Sequence, residues 1–282
     1  MNPTTVTTTP DAATAPAEAL KGLVVVKLGG RSFESLEGRE RLARAVARLV
    51  DAGADVVVVH GGGAQVTRAM AAAGLTATFV NGLRVTTPEA LAVAEPVLTA
   101  LGKGLAHALT AAGAPAIGLT GRDAGVLTAD VKDPALGRVG TVTGANADVL
   151  RFLYHNGLTP VLAPLALAPD GGMLNVNADE VAASVARLLA AKHLVLLTDV
   201  EGVRGADGAV LRTLTPAAAR LLVETGVATG GMVPKVLNAL DALRDGVKHV
   251  HVLSGERADA LDALARGEPA GTTFVADAGD SR

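Results

Sequence analysis

The sequence predicts an α/β fold, a three-layer αβα sandwich whose open, mostly parallel central sheet carries helices on both faces. Three observations predict it. Short Val/Leu-rich runs alternate with longer Ala/Leu-rich stretches of helical spacing. The first two short runs are apolar almost throughout, as strands covered on both faces are. Each is followed at once by glycines, Gly29-Gly30 and Gly61-Gly62-Gly63.

The elements follow in order. Leu23–Leu28 reads as a buried strand and Glu37–Ala52 as a helix, with Leu42, Val46 and Leu49 at helical spacing. Asp55–His60 is a second strand and Ala64–Ala73 a second helix. Pro88–Ala112 is one long helix or a pair. Val126–Ala129 and Val139–Val142 read as strands with turn residues Asp133, Pro134 and Gly137 between them, an antiparallel hairpin expected on the edge of the main sheet. Asn146–Asn156 is helical and Thr159–Ala163 a strand. Ala178–Ala190 is a helix, Leu194–Thr198 a strand, and Val203–Leu211 holds a hairpin-turn dipeptide, Asp207-Gly208. Pro216–Glu224 and Val236–Arg244 are helices, and His249–Leu253 and Thr272–Val275 strands. Residues 1–20 read as a disordered tail, because the Thr-, Ala- and Pro-rich start lacks the basic and apolar parts of a signal peptide. Polarity near Asp170–Gly172 places a boundary between an N-terminal lobe, 21–172, and a C-terminal lobe, 173–282. It is expected to be a seam in one continuous sheet rather than a flexible linker.

Composition narrows the function. The 282 residues are 49% hydrophobic and 19% charged, enough for a sizeable core, but only 2% aromatic, so that core must be Val, Leu and Ala. Few aromatics and a net charge of −3 argue against nucleic acid as a partner. With no cysteine, disulfides, thiolate metal sites and a Cys nucleophile are excluded, which fits a reducing cytoplasm. No apolar stretch is long enough to span a bilayer, so no membrane partner is expected.

Ligands of open α/β sheets sit at the carboxyl ends of the strands. Glycine there lets backbone approach a ligand, and a helix N-terminus offers N–H groups to an anion. Two glycine loops on successive strands, with Lys27 ending the first, describe an anion-binding crevice; a Walker A motif is absent. Lys27 closes an apolar strand and needs a partner or bound anion unless it snorkels to solvent. Lys235 follows a second glycine-rich turn. In Asn175-Val176-Asn177-Ala178-Asp179, Asn177 or Asp179 could simply cap a helix, but the polarity exceeds what a cap needs. His60, ending a strand, is given no catalytic role.

The strings Lys27–Gly30, His60–Gly63, Asn81-Gly82-Leu83-Arg84-Val85-Thr86, Leu174–Asp179, Thr198–Val203 and Gly230–Lys235 occur in that order. From Leu23 to Val275 the chain resembles the acetylglutamate kinases of the amino-acid kinase family. That resemblance implies N-acetyl-L-glutamate and ATP as substrates, Mg²⁺ carried mainly by the ATP phosphates with no metal ligand from the protein, and the amino-acid kinase fold. It implies Lys27 and Lys235 on the transferring phosphoryl group and Asp179 organising both. It implies Gly62, Gly63, Arg84 and Asn175 around the acid. The nucleotide would meet Gly29, Gly30, Thr198, Asp199, Val200, Gly202, Val203 and Thr229. The N-terminal lobe would bind the acid and dimerise, and the C-terminal lobe would bind ATP.

The chemistry agrees. A carboxylate acceptor, of pKa about 4.3, is already an anion and needs no general base. The task is then to bring two anions together by positioning and charge neutralisation, and an arginine grips a carboxylate bidentately. Related readings are a kinase for carrier-linked aminoadipate, an aspartokinase, disfavoured because regulatory domains usually follow its kinase domain, and a non-catalytic amino-acid or nucleotide sensor. A Pro-rich start is a poor helix, so an arginine-insensitive homodimer is expected, although Gly271-Thr272-Thr273-Phe274 partly resembles the arginine-sensitive type.

Overall fold

The computed structural model describes residues 20–230, 232–257 and 259–276, and the backbone but not the side chain of Pro234. The predicted tail lies outside the described residues, except that Leu20 is buried. The chain runs β1 (Leu23–Leu28), α1 (Leu36–Asp51), β2 (Asp55–His60), α2 (Gly63–Ala72), β3 (Phe79–Val80), β4 (Leu83–Arg84), α3 (Pro88–Ala111) and β5 (Ala116–Leu119). It continues through β6 (Thr128–Val131), β7 (Gly140–Gly144), α4 (Ala147–His155), β8 (Thr159–Leu162), β9 (Leu165–Leu167), β10 (Met173–Asn175) and α5 (Ala178–Leu188). Then come β11 (His193–Thr198), β12 (Thr213–Leu214), α6 (Pro216–Glu224), α7 (Met232–Arg244), β13 (His249–Ser254), α8 (Ala260–Ala265) and β14 (Thr272–Val275).

The central sheet has the order β12-β14-β13-β11-β1-β2-β8-β5. β1 pairs in parallel with β2 and β11, and only the β13–β14 pair is antiparallel. Period-2 alternation sends β1 side chains to opposite layers. Val24, Val26 and Leu28 pack with residues of α1, α3 and α8, and Val25 packs with residues of α5 and α7. Helices therefore cover both faces, as predicted. The glycine loops and Thr198 all emerge at the carboxyl edge of this sheet.

Local chemistry sets the helix starts. Thr87 and Thr215 accept the N–H groups of Ala90 and Ala218, each with proline at the first helical position. Pro88–Ala111 is one helix despite Pro96, and α7 begins a turn earlier than expected.

One expectation is corrected. β6 and β7 do form an antiparallel hairpin, but it belongs to a separate four-stranded sheet ordered β10-β9-β6-β7. The two edges of the main sheet are held by β12 and by β5, which pairs with β8. Gly121 lies between β5 and β6, where a Cβ would strike the Leu167 and Leu127 backbones. β10, just past Gly172, pairs with β9 just before it, so the small sheet straddles that position.

Candidate active site

β1 and β2 end side by side, and Gly61 N–H donates to Leu28 O at 2.8 Å, joining the two glycine loops. Lys27, one residue before the end of β1, is 12% exposed and its Nζ lies 2.9 Å from Asp179 Oδ1. A Cβ on Gly29 would collide with that ammonium. Asp179 is free to pair because the capping role falls to Asn177, whose Oδ1 accepts from Asp179 N (2.8 Å) and Glu180 N (3.2 Å). The choice the sequence left open between these two residues is thereby settled. Lys235 stands half-buried in the first turn of α7, and α7 lies against α5, which carries Asp179.

In front of these loops is a cavity of about 200 Å³. Gly62, Gly63, Arg84 and Asn175 all line it, with Val66, Leu98 and Pro164 among its apolar walls. Arg84 is 7% exposed. Its Nη2 donates to Gly63 O (2.8 Å) and Thr67 Oγ1 (2.7 Å), and its guanidinium lies 4.7 Å from the Phe79 ring centroid. Burial pulls its pKa below the usual guanidinium range, yet arginine stays cationic. Asn175 Nδ2 donates to Thr86 Oγ1 (3.1 Å), which in turn donates to Arg84 O (2.9 Å). The hairpin β3–β4, with Asn81 (φ 51°) and Gly82 (φ 78°) at its turn, is the Asn-Gly type whose twist suits a two-residue connection.

His60 is fully buried and stacks on Phe33, ring centroids 5.7 Å apart. Desolvation lowers its pKa to about 4, opposed by its contact with the Gly61 carbonyl. With its pKa so lowered the ring is neutral at pH 7, and it faces no solvent.

The loop after β11 is tied back to the first glycine loop. Asp199 Oδ1 accepts Arg31 N–H at 2.6 Å, and a Cβ on Gly30 (φ 77°) would meet the same carboxylate. Thr198 O accepts Gly255 N–H at 2.8 Å. Val203 N–H donates to Thr272 Oγ1 at 2.8 Å, against which Gly202 also packs. Val200 is exposed, whereas the Val203 side chain lies in the core. Thr229 is exposed at the entry to α7, where its carbonyl accepts Met232 N–H. Thr67, Thr86 and Phe79, which brace the cavity residues, escaped the sequence reading. Only Thr86 had a signal, its place in the Asn81–Thr86 string.

Residues 22–254 match the model of the amino acid kinase family. An acetylglutamate kinase of Deinococcus radiodurans is 46% identical over 89% of this chain and 100% of its own length. One from Solibacter usitatus is 42% identical over 89% and 98%. Among solved structures, a Streptococcus mutans protein matches with TM-score 0.76 and 33% identity over 90% of this chain and 99% of its own. The N-acetylglutamate synthase of Neisseria gonorrhoeae, complexed with coenzyme A and N-acetyl-glutamate, matches with TM-score 0.81 and 28% identity, over 92% of this chain and 60% of its own. With the parallel sheet, the joined glycine loops and these matches along nearly its whole described length, the chain belongs to the amino acid kinase family and, within it, to the acetylglutamate kinases.

Proposed function

We propose that the protein transfers the γ-phosphoryl group of ATP to the side-chain carboxylate of N-acetyl-L-glutamate, giving N-acetyl-L-glutamyl 5-phosphate, the second step of arginine biosynthesis. The observation that carries this reading is the cavity where Arg84, Asn175 and the Gly62-Gly63 turn meet, beside the Lys27–Asp179 pair. A small dicarboxylate derivative suits it: Arg84 takes one carboxylate, Asn175 the amide, and the apolar walls the remaining carbons. The second carboxylate is directed at the glycine loops.

Lys27 and Lys235 neutralise charge on the phosphoryl group in flight, and Asp179 holds Lys27 in place. Mg²⁺ arrives with the nucleotide and supplies further neutralisation when bound. Asp179 is already engaged by Lys27, so its carboxylate is assigned to the lysine and the ion to the ATP phosphates. Gly29 and Gly30 lie beneath the phosphates, and Thr198, Asp199, Val200, Gly202, Val203 and Thr229 frame the nucleotide. Val203 acts by its position, its side chain being in the core. Residues 21–172 supply most of the acid site and the dimer contact, and 173–282 the ATP site. Asn175 reaches back from the second part into the first. The working form is a cytoplasmic homodimer; no described helix is long and apolar enough to cross a membrane.

The test is ADP release coupled to a spectrophotometric readout, with acetylglutamate, aspartate and aminoadipate offered in turn. Turnover on acetylglutamate alone is expected. Turnover on another acid, or binding of ATP and acetylglutamate without turnover, would replace this reading with the corresponding alternative.

A further inference from the structure

The histidine that ends β2 takes no part in the chemistry above, yet its ring has a defined task. His60 Nδ1 lies 2.6 Å from the carbonyl oxygen of Gly61. A carbonyl oxygen only accepts, so Nδ1 must carry the proton. The ring is fully buried between Phe33 and α3, where a Cβ on Gly102 would stand 2.9 Å from Nε2, and Nε2 has no hydrogen-bond partner. Such an enclosure disfavours the charged ring, which leaves the neutral Nδ1–H tautomer.

The consequence lies one atom pair further on. A trans peptide unit is planar, and its C=O and N–H point in opposite directions. No cis peptide is present among the described residues. Turning the Gly61 carbonyl onto the buried ring therefore turns the Gly62 N–H away from it, toward the open side of a loop that lines the cavity. Gly62 is the N-cap of α2, whose leading N–H groups have no partner within the helix. The rest of the loop is held as firmly. Gly61 N–H is spent on Leu28 O, Gly62 O accepts Val66 N–H, and Gly63 O accepts from Arg84 and Thr67. Among the described residues, the side chain that restrains the Gly61–Gly62 peptide by a hydrogen bond is His60.

We propose that His60 is a positioning residue: its Nδ1–H locks the Gly61–Gly62 peptide so that the Gly62 N–H is preset as a donor to the transferring phosphoryl group. The inference rests on the kinase reading for what the donor meets, but the locked peptide can be tested without it.

In ¹⁵N-labelled wild-type protein at pH 7.5, long-range ¹H–¹⁵N correlation of the His60 ring should show a protonated Nδ1 and a bare Nε2. An Nε2–H tautomer overturns the inference. The Gly62 amide resonance should shift on titration with inorganic phosphate in wild type and stay put in His60→Leu; equal shifts in both overturn it. In turnover, His60→Leu should lose about 100-fold in kcat, the lower end of what one lost preorganised donor costs, with KM for the acid little changed. His60→Asn places an amide N–H near the Nδ1 position and should recover most of that loss, although it also lacks the ring. If the two variants fall together, the ring serves packing alone. Should neither fold, the wild-type tautomer and amide shift still decide. A wild type that phosphorylates none of the acids sinks the kinase reading and leaves the tautomer result standing.

Discussion

Lys27 is a cation on an apolar strand, and its place there is explained by one carboxylate 2.9 Å away. Replacing Lys27 by alanine removes the proposed phosphoryl partner and leaves Asp179 without its ion pair. Lys27→Ala and Lys235→Ala should each cut kcat by about 10²–10³-fold, the cost of one preorganised electrostatic contact, with the circular dichroism unchanged. Wild-type rates in either would exclude the two-lysine arrangement. Arg84 should behave differently, because in the proposed reaction it grips the part of the acid that does not react. Arg84→Ala should raise KM for acetylglutamate by about tenfold or more, and kcat should move less. An unaltered KM would remove Arg84 from the acid site. Arg84→Lys should rescue little, since the planar fork that reaches Gly63 O and Thr67 Oγ1 together is lost. The sequence singled out Gly62, Gly63, Arg84 and Asn175, which the structure brings to one cavity. The ion pair, and the assignment of the cap to Asn177 rather than Asp179, were not legible there, because both depend on which way a side chain at a helix start turns.

At the level of elements, helix starts and strand ends do the positioning. α5 brings Asp179 to Lys27 only if its first turn is held by Asn177. Asn177→Ala should lower stability by about 1 kcal/mol, as cap removal does. It should also weaken turnover beyond what the stability loss explains; a drop in urea midpoint with unchanged kcat would separate cap from catalysis. The long Ala/Leu-rich helices and the Val-rich strands were readable because each repeats a period. The short strands β3, β4 and β9 were not, since two or three residues carry no period. β5, with Gly118 among four residues, is equally silent: its glycine is there because a Cβ would strike the Gly102 backbone of α3.

For the whole molecule, acid stability follows from buried neutral histidines. His60 has its pKa lowered by desolvation to about 4, and His251, in contact with His193 and the Thr273 hydroxyl and stacked near His249, is lowered well below 6.5. The unfolded chain binds these protons at higher pH than the folded one. Stability is thus complete above pH 6.5 and falls as the pH drops from 6.5 toward 4. His60 alone would account for about 3 kcal/mol of that loss. Urea unfolding at pH 8, 6 and 4.5 should show steadily lower midpoints, and equal midpoints would contradict buried neutral rings. Light scattering should report a homodimer whose mass does not change with arginine; a hexamer would tie the chain to the arginine-sensitive type.

The sequence by itself determined the layered, mostly parallel architecture and the family to which the chain belongs. Hydrophobic period and glycine after a strand are local signals that survive without coordinates. Only the tertiary structure decided that the 128–144 hairpin leaves the main sheet, that Asp199 braces the Arg31 backbone, and that His60 holds the glycine loop from below. Each of these is a contact between segments brought together by sheet order, and sheet order is set by packing among distant strands rather than by any one of them.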